Sequence, residues 1–171
     1  YINLLSQKSE EIYSGISENK EKLSIKYLCG NEELEKNDIN DIYDYMLSKI
    51  NSSKKEDILL KSTSVGPHRD DLEIKIDNIS ARSFGSQGQQ RSCALALKLG
   101  ESEIIKDVTG ENPVALLDDV MSELDEKRQD YVLNHIKERQ VFLTCCDPSQ
   151  VLRLCKGKSF LIESGKIKEE K

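Results

Sequence analysis

Residues 114–117 read Val-Ala-Leu-Leu, and two aspartates, Asp118 and Asp119, follow without a spacer. A short apolar run of this kind suits a strand buried on both faces, as in a parallel sheet. Carboxylates at the end of such a strand are costly to bury unless a cation or a reaction offsets the cost. Mg²⁺ carrying a nucleotide phosphate answers that need, because it takes oxygen ligands and often only one or two protein carboxylates. The stretch therefore reads as half of a phosphoryl-transfer site, and the other half has to be sought elsewhere in the chain.

The surroundings agree with a parallel sheet. A helix is expected from about Asp125 to Glu138, and Val141 to Thr144 form a second short apolar strand. Strand, helix and strand at this spacing make a βαβ unit with helices packed on the sheet. Upstream, Gly85 to Gly88 turn into a long helix over roughly 87–106, whose Ala94–Leu97 segment is apolar on several sides and expected to be buried. Leu72 to Ile76 alternate, Asp77-Asn78 suits a turn, and Ile79 to Ser83 are expected to pair back as a hairpin.

Further upstream, Ile2, Leu5, Ile12 and Ile16 are spaced as an amphipathic helix, and Leu23, Ile25 and Tyr27 alternate as a strand ended by Gly30. Residues 32–50 return to helical spacing, Asn51 to Ser53 are expected to break it, and 54–61 add a turn or two. Downstream, Pro148 and Ser149 open a short helix, and residues 159–168 form a terminal hairpin around Ser164-Gly165. A change of composition near residue 62 divides the chain into a mainly helical part, 1–61, and an α/β part, 62–171.

The chain of 171 residues is long enough for one domain with a core plus an appendage. It has no apolar run long enough to cross a bilayer and no signal peptide. The five cysteines form no CxxC pair, which favours reduced thiols in a cytoplasmic protein over disulfides or zinc. Net charge is −6, which argues against a large nucleic-acid-binding surface while leaving room for a local basic patch. Lys54, Lys55 and Lys61 come nearest to one and read as a solvated helix face. The start at Tyr1 is expected to mark a piece of a longer protein.

Gly85-Ser86-Gln87-Gly88-Gln89-Gln90-Arg91 opens the long helix. A helix start offers unpaired N–H groups and a partial positive charge, so Ser86, Gly88 and Gln89 suit a phosphate-binding cap. Read alone, the same residues favour an ordinary serine N-cap beside a glycine turn.

The block is not alone. Gly85 to Gln89, then Val114 to Asp119, then Ser122-Glu123-Leu124-Asp125 follow the order of signature, Walker B strand and D-loop in the ABC-type ATPase core, which the chain resembles. Adding Ser64-Val65-Gly66-Pro67-His68-Arg69-Asp70-Asp71-Leu72 narrows the resemblance to the RecF family, a group of bacterial recombination-repair ATPases related to SMC-type heads. The close resemblance covers about 62–148, and 1–61 fit the second lobe more loosely.

The resemblance implies an α/β fold: the C-terminal part of an ABC-type ATPase head, P-loop NTPase-like, with parallel strands, flanking helices and a helical appendage. It implies ATP and Mg²⁺ as cofactors. Asp118 would help hold the metal, and Asp119 stands where many ABC ATPases have the glutamate that activates water. Ser86, Gly88 and Gln89 would contact the γ-phosphate of ATP on a partner subunit, with Arg91 assisting or facing solvent. Ser122 and Asp125 would shape the D-loop across a homodimer. The family further implies double-stranded DNA near gaps or junctions, RecR and RecO as partners, loading of RecA, and a place in the SOS response.

The chain also departs from ABC enzymes. Where many carry a switch histidine, it reads Thr144-Cys145-Cys146; Thr144 supplies a hydroxyl, while Cys146 offers only a weak donor. Arg69 has two readings, a phosphate contact or a pair with Asp70 or Asp71. The two histidines, His68 and His135, are not spaced as metal ligands. No Gly-x-x-x-x-Gly-Lys-[Ser/Thr] loop occurs in the sequence, so the chain alone is expected neither to bind ATP tightly nor to hydrolyse it. Two rivals stay open: another SMC- or transporter-type ATPase head, and a non-catalytic protein-interaction domain.

Overall fold

The computed structural model describes residues 1–30, 32–33, 39–146 and 157–170. The chain forms two compact units, Tyr1–Ile104 and Ile105–Lys171.

The first unit begins with the expected amphipathic helix, α1 (Ile2–Ile16), which buries Leu5, Ile12, Tyr13 and Ile16 on one side. Strand β1 (Leu23–Cys29) pairs antiparallel with β3 (Asp71–Ile76) in the register Leu23↔Ile76, Ile25↔Ile74 and Tyr27↔Leu72. Alternation in both strands thus places their apolar residues on one face. On the other face, Lys26 stands opposite Glu73. The sheet runs β2-β1-β3-β4, with β2 (Glu32–Glu33) on one edge and β4 (Ile79–Ser80) on the other. Strands from both sides of residue 62 share this sheet, and the compact units part near residue 104.

Two expectations for this region change. Glu32 and Glu33 are extended rather than helical, because Gly30 takes a left-handed φ of 59° and folds them back on Leu28 and Cys29. The helix α2, described over Ile39–Leu60, does not break at Asn51 to Ser53. The hydroxyls of Ser52 and Ser53 donate to the carbonyls of Lys49 and Ile50, so these serines are satisfied within the helix. Residues 34–38, expected in the same helix, lie outside the described residues.

The hairpin after β3 is also shorter than expected. Asp77 and Asn78 both take left-handed φ, which matches a tight two-residue turn. Pairing then stops at Ser80, whose hydroxyl accepts the Ser83 N–H and caps a short helix, α3 (Ala81–Phe84). Gly85 ends α3 where a Cβ would lie 2.5 Å from the Ala81 carbonyl oxygen. The long helix α4 (Gln87–Thr109) follows, with Leu95, Ala96, Leu99 and Ile104 buried, Leu97 half-buried and Ala94 exposed.

In the second unit, β5 (Ala115–Asp118) and β6 (Val141–Thr144) pair in parallel, with α5 (Glu126–Ile136) between them in sequence, as the βαβ reading requires. The core holds Leu117, Met121, Leu124, Val132, Leu133 and Ile136. The expectation of burial on both faces is corrected. Leu117 is 9% exposed but Leu116 is 75% exposed, and its partner Phe142 is open as well. Among the described residues the sheet has two strands and one covered face. A terminal hairpin, β7 (Phe160–Glu163) and β8 (Lys166–Glu170), turns at Ser164-Gly165 as expected. The helix expected from Pro148 lies outside the described residues.

Among the described residues, Cys29, Cys93, Cys145 and Cys146 form no disulfide with one another, and no helix is long and apolar enough to cross a membrane.

Close packing of α1 on α4 rests on Gly100. A Cβ there would meet Ser9 Oγ at 2.7 Å and Ser9 N at 3.2 Å, both on α1. Gly100→Ala gains up to about 1 kcal/mol in helix propensity but forces the helices apart, at a cost of about 1–3 kcal/mol. We expect a net loss of about 1 kcal/mol in urea unfolding, and a larger loss for Gly100→Val.

Candidate nucleotide-binding residues

The carboxylate pair is shaped by strand pairing. The register places Asp118 opposite Thr144 at the carboxyl ends of the parallel strands. The Thr144 hydroxyl donates to Asp118 Oδ1 at 2.5 Å and accepts the Asp119 N–H at 3.0 Å. One hydroxyl therefore holds a carboxylate on one residue and the backbone of the next. Asp119 has a φ of 51°, a left-handed conformation that aspartate and asparagine adopt more readily than most residues. The chain turns out of the sheet at this residue, and both carboxylates stay exposed.

The segment that follows is fixed from below. Met121 to Glu123 make a 3-10 turn, and the Ser122 hydroxyl donates to the Asp119 carbonyl at 3.0 Å. Asp125 caps α5 by accepting the Arg128 N–H at 3.1 Å, and its other oxygen lies 3.4 Å from Arg128 Nε. Gln129, 2% exposed, donates from Nε2 to the carbonyls of Met121 and Leu124 at 2.7 and 3.0 Å. Sequence reading did not single out Gln129. A glutamine one turn into a helix looks like surface until the preceding loop is seen folding over it.

The donor set at Asp118 and Asp119 suits a hard cation. Among the described residues, no three His, Cys, Asp or Glu side chains converge on one point. A cation held here would take one or two carboxylates and fill its shell with water and phosphate oxygens, which is the habit of Mg²⁺.

In the first unit, Ser86 and Gln89 form a reciprocal cap at the start of α4. Gln89 N–H donates to Ser86 Oγ at 3.2 Å, and Ser86 N–H donates to Gln89 Oε1 at 2.8 Å. Gln90 Nε2 donates to the carbonyls of Arg82 and Gly85, tying the turn to the end of α3. Gly88 and Arg91 lie within the first turns of α4, both half-buried. The capping geometry and a phosphate-facing role use the same residues, so both readings of this turn fit.

The Gly66 to Asp71 block has structural work. The Asp70 carboxylate accepts the Gly30 N–H at 2.8 Å and the Tyr27 hydroxyl, and burial together with Asp70 holds that hydroxyl well above its usual range. Asp71 pairs with Arg82 at 3.1 Å. Arg69 donates to the Thr63 carbonyl at 3.4 Å, a contact that neither reading of it anticipated. His135 stacks on Tyr131. Cys146 is exposed, and Cys145 is half-buried.

The Thr144 hydroxyl is the joint of the carboxylate site. Thr144→Val keeps the shape and removes both hydrogen bonds. We expect stability to fall by about 1 kcal/mol and the Asp119 amide to exchange with solvent about tenfold faster in NMR hydrogen exchange.

No family model matches the chain. Among curated proteins, it is 43% identical to the DNA replication and repair protein RecF of Clostridium acetobutylicum over 171 residues, which are 99% of this chain and 46% of that protein. It is 45% identical to RecF of Clostridium perfringens over 145 residues, 85% of this chain and 39% of that protein. Two solved structures of the recombination mediator protein RecF in the RecFOR pathway, one with ATP, match 98% of the chain at 38% identity, with TM-scores of 0.74 and 0.72. They are covered to 45% and 44% of their own length. A structure from work on ATP-driven dimerisation of SMC ATPases matches 97% of the chain and 81% of its own, with a TM-score of 0.55 at 16% identity, a likeness of fold alone. The fold is thus an α/β portion of an ABC-type ATPase head. The chain spans about half the length of the curated relatives it matches, and over that span it belongs to the RecF family.

Proposed function

We propose that this chain works within a longer RecF-like polypeptide as the part of a DNA-repair ATPase that carries the carboxylates and the signature turn. The observation that carries this reading is the pair Asp118–Asp119, held by Thr144 at the carboxyl end of a parallel strand. Ligands of open α/β sheets bind at that end. Identity of 43% with a DNA replication and repair protein supports it.

In this reading, Asp118 would hold Mg²⁺, directly or through water, and the bound ion would supply charge stabilisation to a transferring phosphoryl group. Asp119 accepts the proton of the attacking water, and its left-handed backbone aims a shorter acid than glutamate at that water. Thr144 keeps both in place. Ser86, Gly88, Gln89 and Arg91 face the γ-phosphate of a nucleotide bound by a second subunit, so ATP bridges a homodimer. Ser122 and Asp125 shape the loop between them.

The phosphate loop comes from another part of the polypeptide, as does cover for the open face at Leu116 and Phe142. The division at residue 62 into a helical second lobe and a head belongs to the same reading. So do a cytoplasmic site of action, double-stranded DNA at gaps or junctions, RecR and RecO as partners, RecA loading, and a role in the SOS response.

One observation favours a second reading, a protein-interaction surface in the helical part. Helix α2 has no buried residue, and it exposes Ile39, Tyr43, Leu47 and Ile50 at helical spacing.

Asp119→Asn in the full-length polypeptide tests the enzyme reading, because asparagine tolerates the same backbone. We expect ATP turnover to fall by about 100-fold or more while ATP-dependent self-association persists. Unchanged turnover would remove Asp119 as the base and leave the interaction reading in the field.

A further inference from the structure

Gln89 is braced at both ends of its carboxamide. Oε1 accepts the Ser86 N–H at 2.8 Å, and Nε2 donates to Glu21 Oε1 at 2.8 Å. Glu21 lies in the turn between α1 and β1, remote in sequence from α4. Its Oε2 accepts the Tyr13 hydroxyl at 2.6 Å, and its carbonyl accepts the Ser17 hydroxyl at 3.3 Å. Tyr13 is 1% exposed, so this carboxylate is tied to the core of the unit. Cys93, one turn beyond Gln89 on α4, has its thiol pushed up to about 11, first by burial and then by the charge of Glu21.

A carboxamide has a donor end and an acceptor end of nearly equal shape, and neighbours decide which way round it sits. A carboxylate only accepts. Glu21 therefore fixes Nε2 toward itself and Oε1 toward Ser86. In this orientation the Ser86 N–H is capped, and Ser86 Oγ takes the Gln89 N–H. Beyond these contacts, the Ser86 hydroxyl and Gln89 Nε2 each carry one further hydrogen at the start of α4. Reversing the amide would set Oε1 against a carboxylate and withdraw a donor from that turn. Both oxygens of Glu21 are engaged by donors, which reduces the charge it presents to an arriving anion.

We propose that Glu21 is a positioning residue for the signature turn: it orients Gln89 so that Ser86 and Gln89 present donors to the γ-phosphate of a partner-bound nucleotide. The inference rests on the reading that this turn meets that phosphate, and it adds a residue outside the signature block.

The test uses the full-length polypeptide, with ATP-dependent self-association measured by analytical ultracentrifugation and monomer nucleotide binding and melting temperature measured beside it. Glu21→Met keeps length and removes the acceptor. We expect it to weaken self-association about tenfold, with monomer nucleotide binding unchanged and melting lowered by no more than about 4 °C. Glu21→Gln, which still offers a carbonyl, recovers most of the loss, and Glu21→Met adds nothing in a Gln89→Ala background. Self-association at the unsubstituted level in Glu21→Met, with Gln89→Ala impaired, overturns the inference, and so does a Glu21→Met effect that adds fully to Gln89→Ala. Normal self-association of Gln89→Ala would instead remove the phosphate-contact reading, and the inference with it. If Glu21→Met fails to fold, Glu21→Gln combined with Tyr13→Phe loosens the same brace and is read against the same outcomes.

Discussion

The parallel pairing of Ala115–Asp118 with Val141–Thr144 governs the carboxylate site. Register decides that Thr144 and no other residue lies beside Asp118. A one-residue slip would turn every side chain of the strand to the opposite face and carry the hydroxyl away. With the register set, a single hydroxyl satisfies Asp118 and the Asp119 N–H together, and the left-handed turn at Asp119 follows. The segment to Asp125 then depends on that turn, through the Ser122 bond to the Asp119 carbonyl and the two carbonyls held by buried Gln129.

A comparable logic runs through the first unit. The antiparallel β1–β3 ladder gives α1 a surface to cover, and the absence of a side chain at Gly100 lets α4 approach α1. Asp70 and Glu21 each reach from one segment to a distant one: Asp70 to Tyr27 and Gly30, Glu21 to Tyr13 and Gln89. Neither acid is a nucleotide ligand in the proposed function. Each holds a turn that the proposed chemistry uses or borders.

Local patterns in the sequence were enough for α1, β1, β3, α4, the βαβ unit and the terminal hairpin, since each has its own periodicity and its own punctuation. They were not enough where a side chain changed the local rule. Ser80 ends a hairpin by capping a helix, and Ser52 and Ser53 stay in a helix by bonding to carbonyls of the turn before them. The apolar character of Leu116 reports affinity for a core, while burial also needs a neighbour, and the described residues cover one face of the pair. The order of motifs singled out Ser86, Asp118 and Asp119 as candidates. It was silent on Gln129 and Glu21, whose roles arise from contacts between segments and leave no spacing to recognise.

In the proposed function, this chain carries the carboxylates and the signature turn of a nucleotide site whose phosphate loop lies elsewhere in the polypeptide. The most direct measurement is calorimetric titration of Mg²⁺-ATP into the chain alone and into the full-length polypeptide. Binding no tighter than about 1 mM is expected for the chain alone, and roughly micromolar binding for the whole. Micromolar binding by the chain alone would contradict the proposed function.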